Sequence, residues 1–447
     1  MHDHPAQAPR CPYTGGGADP VPLYGAEYKR DPYPLYRRLR EAGPVHRVEF
    51  PSGIHAWLVT GHQAAHAALN DPRLGKNHAL GNANWRALAS IMPEPQHSEL
   101  QVHLLHQDPP KHTSMRRLVL DAFAPRRVEA LRPRLQRLAD ELVDALPADG
   151  GADLVAGFAA HYPFRVLAEV IGLPAGLAAR FDRDWGKVVQ PVGPNDPARP
   201  AYEARLRGLQ TYIAEVVARK RADRIDRADR AEPGWTAGED LLGRLVEAHD
   251  EGELSRAELD SMVFQLLVAG QEPVTNQITT MLVTLLRHPA QLASLRQRLE
   301  NGPDGGDGAL ARAVEELLRH DAAFELTTWR FFAEDSDLFG TTVPAGDSVI
   351  VSLCAANRDE TRFPDADRLD LDRTPNAHLA FGHGIHYCPG AALARAELQI
   401  AVATLLTRLP GLRPSAEPGD GLDDLTWIPA VLARGVDRLP VAYDRRR

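Results

Sequence analysis

Apolar residues recur at helical spacing through most of the stretch between Pro110 and Glu300. The spacing predicts helices over 111–122, 126–145, 155–172, 175–190, 200–224, 238–250, 255–287 and 289–300. Their breaks are rich in proline, as in VGPNDPARP at 192–200 and PGWTAGED at 233–240. Upstream, YPLYRRLREA at 33–42 carries the same period, AWLVT at 56–60 reads as a short strand, and a helix starts at Gly61. Residues 75–107 keep no steady period and mix Gly, Asn, Pro and His, which predicts a long functional loop holding a short helix. The connector GPDGGDG at 302–308 leads into a helix at 309–320. Beyond His320 the pattern changes. Segments 326–332 and 348–354 and the tail from 426 alternate or carry β-branched residues, as strands do. A last helix, 391–409, follows the glycine-rich stretch 382–390. No fixed-period repeat is visible, which argues against a solenoid or propeller. The expected class is mainly α with small β-sheets.

Composition sharpens this only in part. A chain of 447 residues, 44% hydrophobic and 25% charged, can bury a large core with room for a cofactor. A net charge of −9 argues against general nucleic-acid binding, which needs excess Lys and Arg. The tract RKRADRIDRADRAE at 219–232 mixes both signs and reads as a solvated helix end. The first residues, MHDHPAQAPRCPYTGGG, hold no apolar signal region, and no run of about 18 apolar residues occurs. The expectation is a soluble, cytoplasmic protein with no membrane contact and a flexible tail over residues 1–20. Three cysteines, Cys11, Cys354 and Cys388, form no disulfide framework and fit a reducing compartment. Cys354 ends an apolar strand and is expected in the core, while Cys11 sits in the tail.

The strongest chemical signal is Phe381-Gly382-His383-Gly384-Ile385-His386-Tyr387-Cys388-Pro389-Gly390. It is a glycine-rich loop that delivers one cysteine just before a helix. Glycines permit tight turns and close approach to a flat ligand. A helix N-terminus favours a thiolate. One thiolate is too few for structural zinc, which takes four ligands. It suits haem, where the porphyrin supplies four ligands and the protein one. On spacing alone, an ordinary loop with a buried cysteine stays equally open.

The segment resembles the haem-binding signature of the cytochromes P-450, Phe-Gly-x-Gly-x-His/Arg-x-Cys-x-Gly. All fixed positions match: Phe381, Gly382, Gly384, His386, Cys388 and Gly390. Further family marks follow in order from about Leu23 to Val441. The resemblance implies a single cytochrome P-450 domain over 21–447, haem b (iron protoporphyrin IX), and Cys388 as both iron ligand and catalytic thiolate. It implies that Glu316-Leu317-Leu318-Arg319 locks with a third residue, matched here by Arg368 in FPDADRLDLDR, to support the haem loop. In Asp108-Pro109-Pro110-Lys111-His112-Thr113-Ser114-Met115-Arg116, His112 and Arg116 stand one helical turn apart. The resemblance assigns both to the haem propionates, with Arg330 and His386 as further partners.

The same resemblance places Ala269 and Gly270 close over the haem and Glu272 as the catalytic acid. Pro273 stands where the family has a threonine whose hydroxyl helps deliver protons. Proline has neither hydroxyl nor N–H and clashes with the carbonyl of Ala269, so a kink is expected. Thr275, about 200° further round, is no simple substitute. Three outcomes stay open: hydroxylation or epoxidation with protons from substrate or water, oxidative C–C or C–N coupling of a small peptide or aromatic scaffold, or impaired oxygenation. A non-catalytic haem sensor or scaffold is the reading from another class. His97, His103 and His106 lie close in sequence, but no carboxylate or thiolate completes a zinc spacing. No βαβ unit surrounds Gly382 and Gly384, which argues against a dinucleotide fingerprint.

The implied partners are a small-molecule substrate and a ferredoxin or flavodoxin fed by an NAD(P)H reductase, docking on the Cys388 side of a monomer. The substrate is expected to be a medium-sized secondary metabolite. Pocket walls are expected in 75–107, 185–200, Val268 to Val274, Ala323 to Thr328 and near Trp427. Asn82, Asn84, Trp85, Gln101 and Gln271 would supply polar handles.

Overall fold

The computed structural model describes residues 19–89, 92, 96–148, 150–181, 185, 188, 192, 196–230, 240–300 and 308–444. Most of the tail 1–20 and parts of both proline-rich breaks lie outside these residues, as does most of the connector 302–308.

Helix ends follow local chemistry. Ser255 accepts from the Glu258 backbone N–H, and the Glu258 carboxylate reaches back to Ser255 N, a reciprocal cap that starts the helix Arg256–Ala269. Asp240 caps Leu241–Asp250 by accepting from Gly243 N. Gly172, at φ 74°, ends Tyr162–Ile171 in the left-handed conformation.

Two helices form the spine. Glu272–Arg287 and Ala391–Arg408 pack on each other and are buried along most of their length. Their aliphatic faces join the largest core cluster with Pro125–Asp144 and Ala309–His320. The β part is a six-stranded sheet in the order Val21–Pro22, Val45–Phe50, Ile54–Val59, Ser348–Val351, Arg330–Phe332, Leu74–Gly75. A three-stranded sheet and a two-stranded hairpin complete it. Among the described residues, no helix is long and apolar enough to cross a membrane.

The structure alters several expected elements. The helix expected over 255–287 is two helices, Arg256–Ala269 and Glu272–Arg287, joined at Gly270 and Gln271. Pro273 falls in the first turn of the second, where its missing N–H costs nothing. The upstream half packs on Gln96–Leu100 and on Arg199–Arg230; the downstream half packs on the spine helix Ala391–Arg408. The helix expected over 155–172 begins as a π-turn, Val155–Ala159, before Tyr162–Ile171. The helix expected at 200–224 runs from Arg199 to Arg230. Strand 348–354 stops at Val351, because Ser352 caps a short helix, Leu353–Asn357. Cys354 lies in that helix, buried as expected, with its thiol donating to Ala322 O at 3.4 Å. Segment 326–332 keeps only Arg330–Phe332 as a strand. Residues 75–107 hold two short helices and two 3-10 turns rather than one helix.

Candidate functional site

The cysteine loop is shaped by its own backbone. Gly382 N donates to Leu379 O at 2.8 Å and Cys388 N to Phe381 O at 3.0 Å. Gly382 and Gly384 have φ of 73° and 74°. A Cβ at Gly384 would lie 2.6 Å from the Leu69 carbonyl, so both its conformation and its surroundings demand glycine. Cys388 ends the loop half-buried, and the next helix begins at Ala391. Burial pushes its thiol pKa up, while the Gly390 N–H, Arg116 and Arg395 pull it back. Arg395 stacks on the Phe381 ring at 4.5 Å and is gripped by Glu315 at 2.7 Å. Burial raises the Glu315 pKa, but His378 and Arg395 outweigh it and hold the carboxyl down at about 2. This Glu315–Arg395 brace was not read from the sequence.

Across from the thiol, basic side chains gather with unused donors. His112 Nε2, Arg116 Nη1, Arg330 Nε and both ring nitrogens of His386 have no hydrogen-bond partner. The His112 and His386 rings lie 4.3 Å apart. Burial, then Lys76, Arg330, His112 and Arg116, push the His386 pKa down to about 2. Burial lowers Arg330 to about 10, with Asp108 opposing. Buried polar groups in folded proteins are nearly always paired. Arginine and histidine nitrogens orphaned together are therefore a cradle for an anion with several oxygens, and the two carboxylates of haem b fit it. The structure brings His112, Arg116, Arg330 and His386 together, as the sequence implied. It adds Lys76, which the sequence reading passed over.

At the helix join Leu267 and Val268 are buried, while Ala269 is exposed and Gly270 half-buried. On its other side Gly270 is tight, for a Cβ would meet Leu167 Cδ1 at 2.6 Å. Gln271 is buried with its Oε1 unpaired. The Thr275 hydroxyl donates to Ala159 O at 2.9 Å, and so is already engaged with the π-turn.

The support beneath the loop corrects one expectation. Arg319 and Glu316 form a fully buried two-bond pair at 2.7 and 2.8 Å. The third residue is Arg373, whose Nε reaches Glu316 at 3.2 Å. Arg368 is exposed and contributes only its carbonyl, accepting from Arg319 at 3.3 Å. The turns after Phe363 bring Arg373, not Arg368, back over the helix.

Of the expected polar handles, Asn82 is occupied, donating to Asp347 at 2.8 Å and capping Trp85 N. Asn84 lies with Arg47, Trp57 and Asp347 around a small pocket at the sheet edge. Trp85 Nε1 and Gln101 Oε1 are buried and unpaired. Trp427 is buried under the Arg434 guanidinium, 3.8 Å from its ring.

A helical body on a six-stranded sheet, with one cysteine loop facing a cationic cradle, is the architecture of a haem-thiolate oxygenase. The family profile for Cytochrome P450 matches residues 196–412. The cytochrome P450 monooxygenase PikC of Streptomyces venezuelae is 41% identical over 427 residues, covering 95% of this chain and 94% of that protein. The mycinamicin IV hydroxylase/epoxidase of Micromonospora griseorubida is 39% identical, covering 91% and 94%. The solved structure of CxnD, described as the P450 for C–S bond formation in chuangxinmycin biosynthesis, superposes with a TM-score of 0.83 at 33% identity, covering 97% of this chain and all 100% of that one. The chain belongs to the cytochrome P450 family, and with it to the haem b monooxygenases. That membership sets aside the reading as a non-catalytic haem protein.

Proposed function

We propose that this P450, one domain over 21–447, hydroxylates or epoxidises a medium-sized secondary metabolite. The observation that carries the reading is the set of orphaned cationic donors facing a single half-buried cysteine. Cys388 ligates the iron. His112, Arg116, Arg330 and His386 hold the propionates, and Phe381, Gly382, Gly384 and Gly390 shape the loop that presents the thiolate. Ala269 and Gly270 border the face where substrate lies, and Glu272 is the acid that handles protons there. When bound, the haem supplies oxygen activation, with thiolate donation favouring O–O cleavage. Electrons come from a ferredoxin or flavodoxin system in the cytoplasm. Two relatives, named as a mycinamicin IV hydroxylase/epoxidase and a 6-deoxyerythronolide B hydroxylase, support the substrate class.

A second reading is oxidative coupling without oxygen insertion. The break at Gly270–Gln271 and the proline in place of a hydroxyl favour it, as does likeness to a bond-forming P450. The test has two arms. The reduced, carbon-monoxide-bound protein should show the red-shifted Soret band of thiolate ligation; Cys388→Ala should abolish it and Cys354→Ala should keep it. Substrates found by a high-spin shift are then turned over with surrogate redox partners, and product mass separates an added oxygen from a loss of hydrogen. A retained band in Cys388→Ala would end the proposal.

A further inference from the structure

We infer that Lys76 is an additional clamp on the haem carboxylates, and that its charge raises the reduction potential of the bound iron. The inference rests on the cradle reading above. Its basis is strand register. Leu74 pairs with Phe332 and Gly75 with Phe331 in an antiparallel ladder. One position beyond these pairs stand Lys76 and Arg330, near enough that the arginine pushes the lysine's pKa down. Like charges directly opposite are unfavourable even in solvent-exposed sheets. Here both are buried, at 1% and 4% exposure.

Among the described residues the two cations share a single carboxylate. The Lys76 ammonium donates to the Thr328 hydroxyl and, at 2.8 Å, to the Trp329 carbonyl. Those are two uncharged acceptors for three protons. The carboxylate that acts on both Lys76 and Arg330 is Asp108. Its oxygens are already engaged by the backbone N–H groups of Lys76 and Asn77, at 2.8 and 3.1 Å. Lys76, Arg116 and Arg330 against Asp108 then leave an excess of two positive charges. A haem with two ionised propionates matches that excess; without Lys76 the count falls one short. Burial and Arg330 push the Lys76 pKa well down, so the lysine gains from an anion brought beside it.

A cation near the propionates favours the ferrous state, which carries one positive charge fewer than the ferric. The test uses substrate-free holoenzyme. Anaerobic spectroelectrochemistry gives the midpoint potential, and transfer to apomyoglobin gives the rate of haem loss. Lys76→Met keeps the stem and removes the charge. It should lower the ferrous-to-ferric ratio at fixed potential about tenfold, a shift of 59 mV for one electron, and speed haem loss several-fold. Lys76→Arg should stay within twofold of the parent on both. Thr328→Val removes a neutral partner and should leave the potential in place. If Lys76→Met does not assemble, Lys76→Gln must show the same fall. An unmoved potential in Lys76→Met or Lys76→Gln, or an equal fall in Thr328→Val, would overturn the inference. The carbon-monoxide band is read in every variant. Its absence from the parent would sink the haem reading itself, whereas its presence with no shift sinks only the role of Lys76.

Discussion

Replacing Arg373 and Arg368 by alanine, one at a time, should separate two residues that look alike in sequence. Glu316 is fully buried and accepts five hydrogen bonds, from Arg319 twice, Asp370 N, Arg373 and Asn376. Arg319, equally buried, also donates to the carbonyls of Asn357 and Ala366 at 2.9 and 2.8 Å. Losing either partner strands a buried charge, which costs about 3–5 kcal/mol. That is a large share of a net stability of about 5–15 kcal/mol. Arg373 is mostly buried and ties Glu316 to the carbonyls of Pro364, Asp365 and Arg368. A hydrogen bond to a charged group is worth about 1.5–3 kcal/mol, so Arg373→Ala should cost roughly 2–3 kcal/mol. Arg368→Ala keeps the carbonyl that Arg319 uses and should cost under about 0.5 kcal/mol, as exposed positions do. The assay is the urea midpoint together with haem per protein, in both variants and in Glu316→Gln. Expected order of damage is Glu316→Gln, then Arg373→Ala, then Arg368→Ala near the parent. Equal losses for the two arginines would show that the third member of the set has been assigned to the wrong residue.

Pro273→Thr should not raise product formed per nicotinamide consumed, because the helix join and Thr275's bond to Ala159 leave no gap that a hydroxyl must fill; a large gain would mark the proline as a defect. Glu272→Ala should cost more coupled turnover than Pro273→Ala. Acid should weaken the fold through a buried histidine stack, in which His106 packs on His78 at 3.8 Å and on His103 at 4.4 Å. Burial, helped by Lys76, lowers His103 to about 3 and pushes His78 and His106 well down. The unfolded chain binds protons near pH 6.5 that the folded chain refuses, so stability falls as pH drops below that value, by about 1.4 kcal/mol per unit for each histidine. His103→Leu should flatten the fall of the urea midpoint between pH 6.5 and 5; an unchanged slope would refute this.

What the sequence disclosed tracks how locally each feature is determined. The cysteine loop was legible because its glycines and cysteine lie within ten consecutive residues, Phe381 to Gly390, directly before the helix that starts at Ala391. His112 and Arg116 were legible as one helical turn. Pro273 announced a kink, but not that Gly270 would end the first helix outright. Arg368 was misassigned because the segment from Phe363 to Arg373 folds back in turns with no periodic signal. Lys76 stayed hidden because its place depends on a two-residue strand pairing with a segment more than 250 positions away. Asn82 looked like a free amide, yet its partner Asp347 is equally remote in the chain.

The join at Gly270 and Gln271 also bears on how this scaffold can change over evolutionary time. Upstream of it, the helix Arg256–Ala269 packs with Gln96–Leu100, Leu241–Asp250 and the long helix Arg199–Arg230. Downstream, Glu272–Arg287 is fastened to the helix that follows the cysteine. A continuous helix would carry any twist on one side through to the other. Two helices meeting at a glycine let mutations accumulate on the first without disturbing the second, which packs on the helix after the cysteine. Segment exchange with relatives should therefore tolerate a boundary at Gly270 better than one a turn to either side.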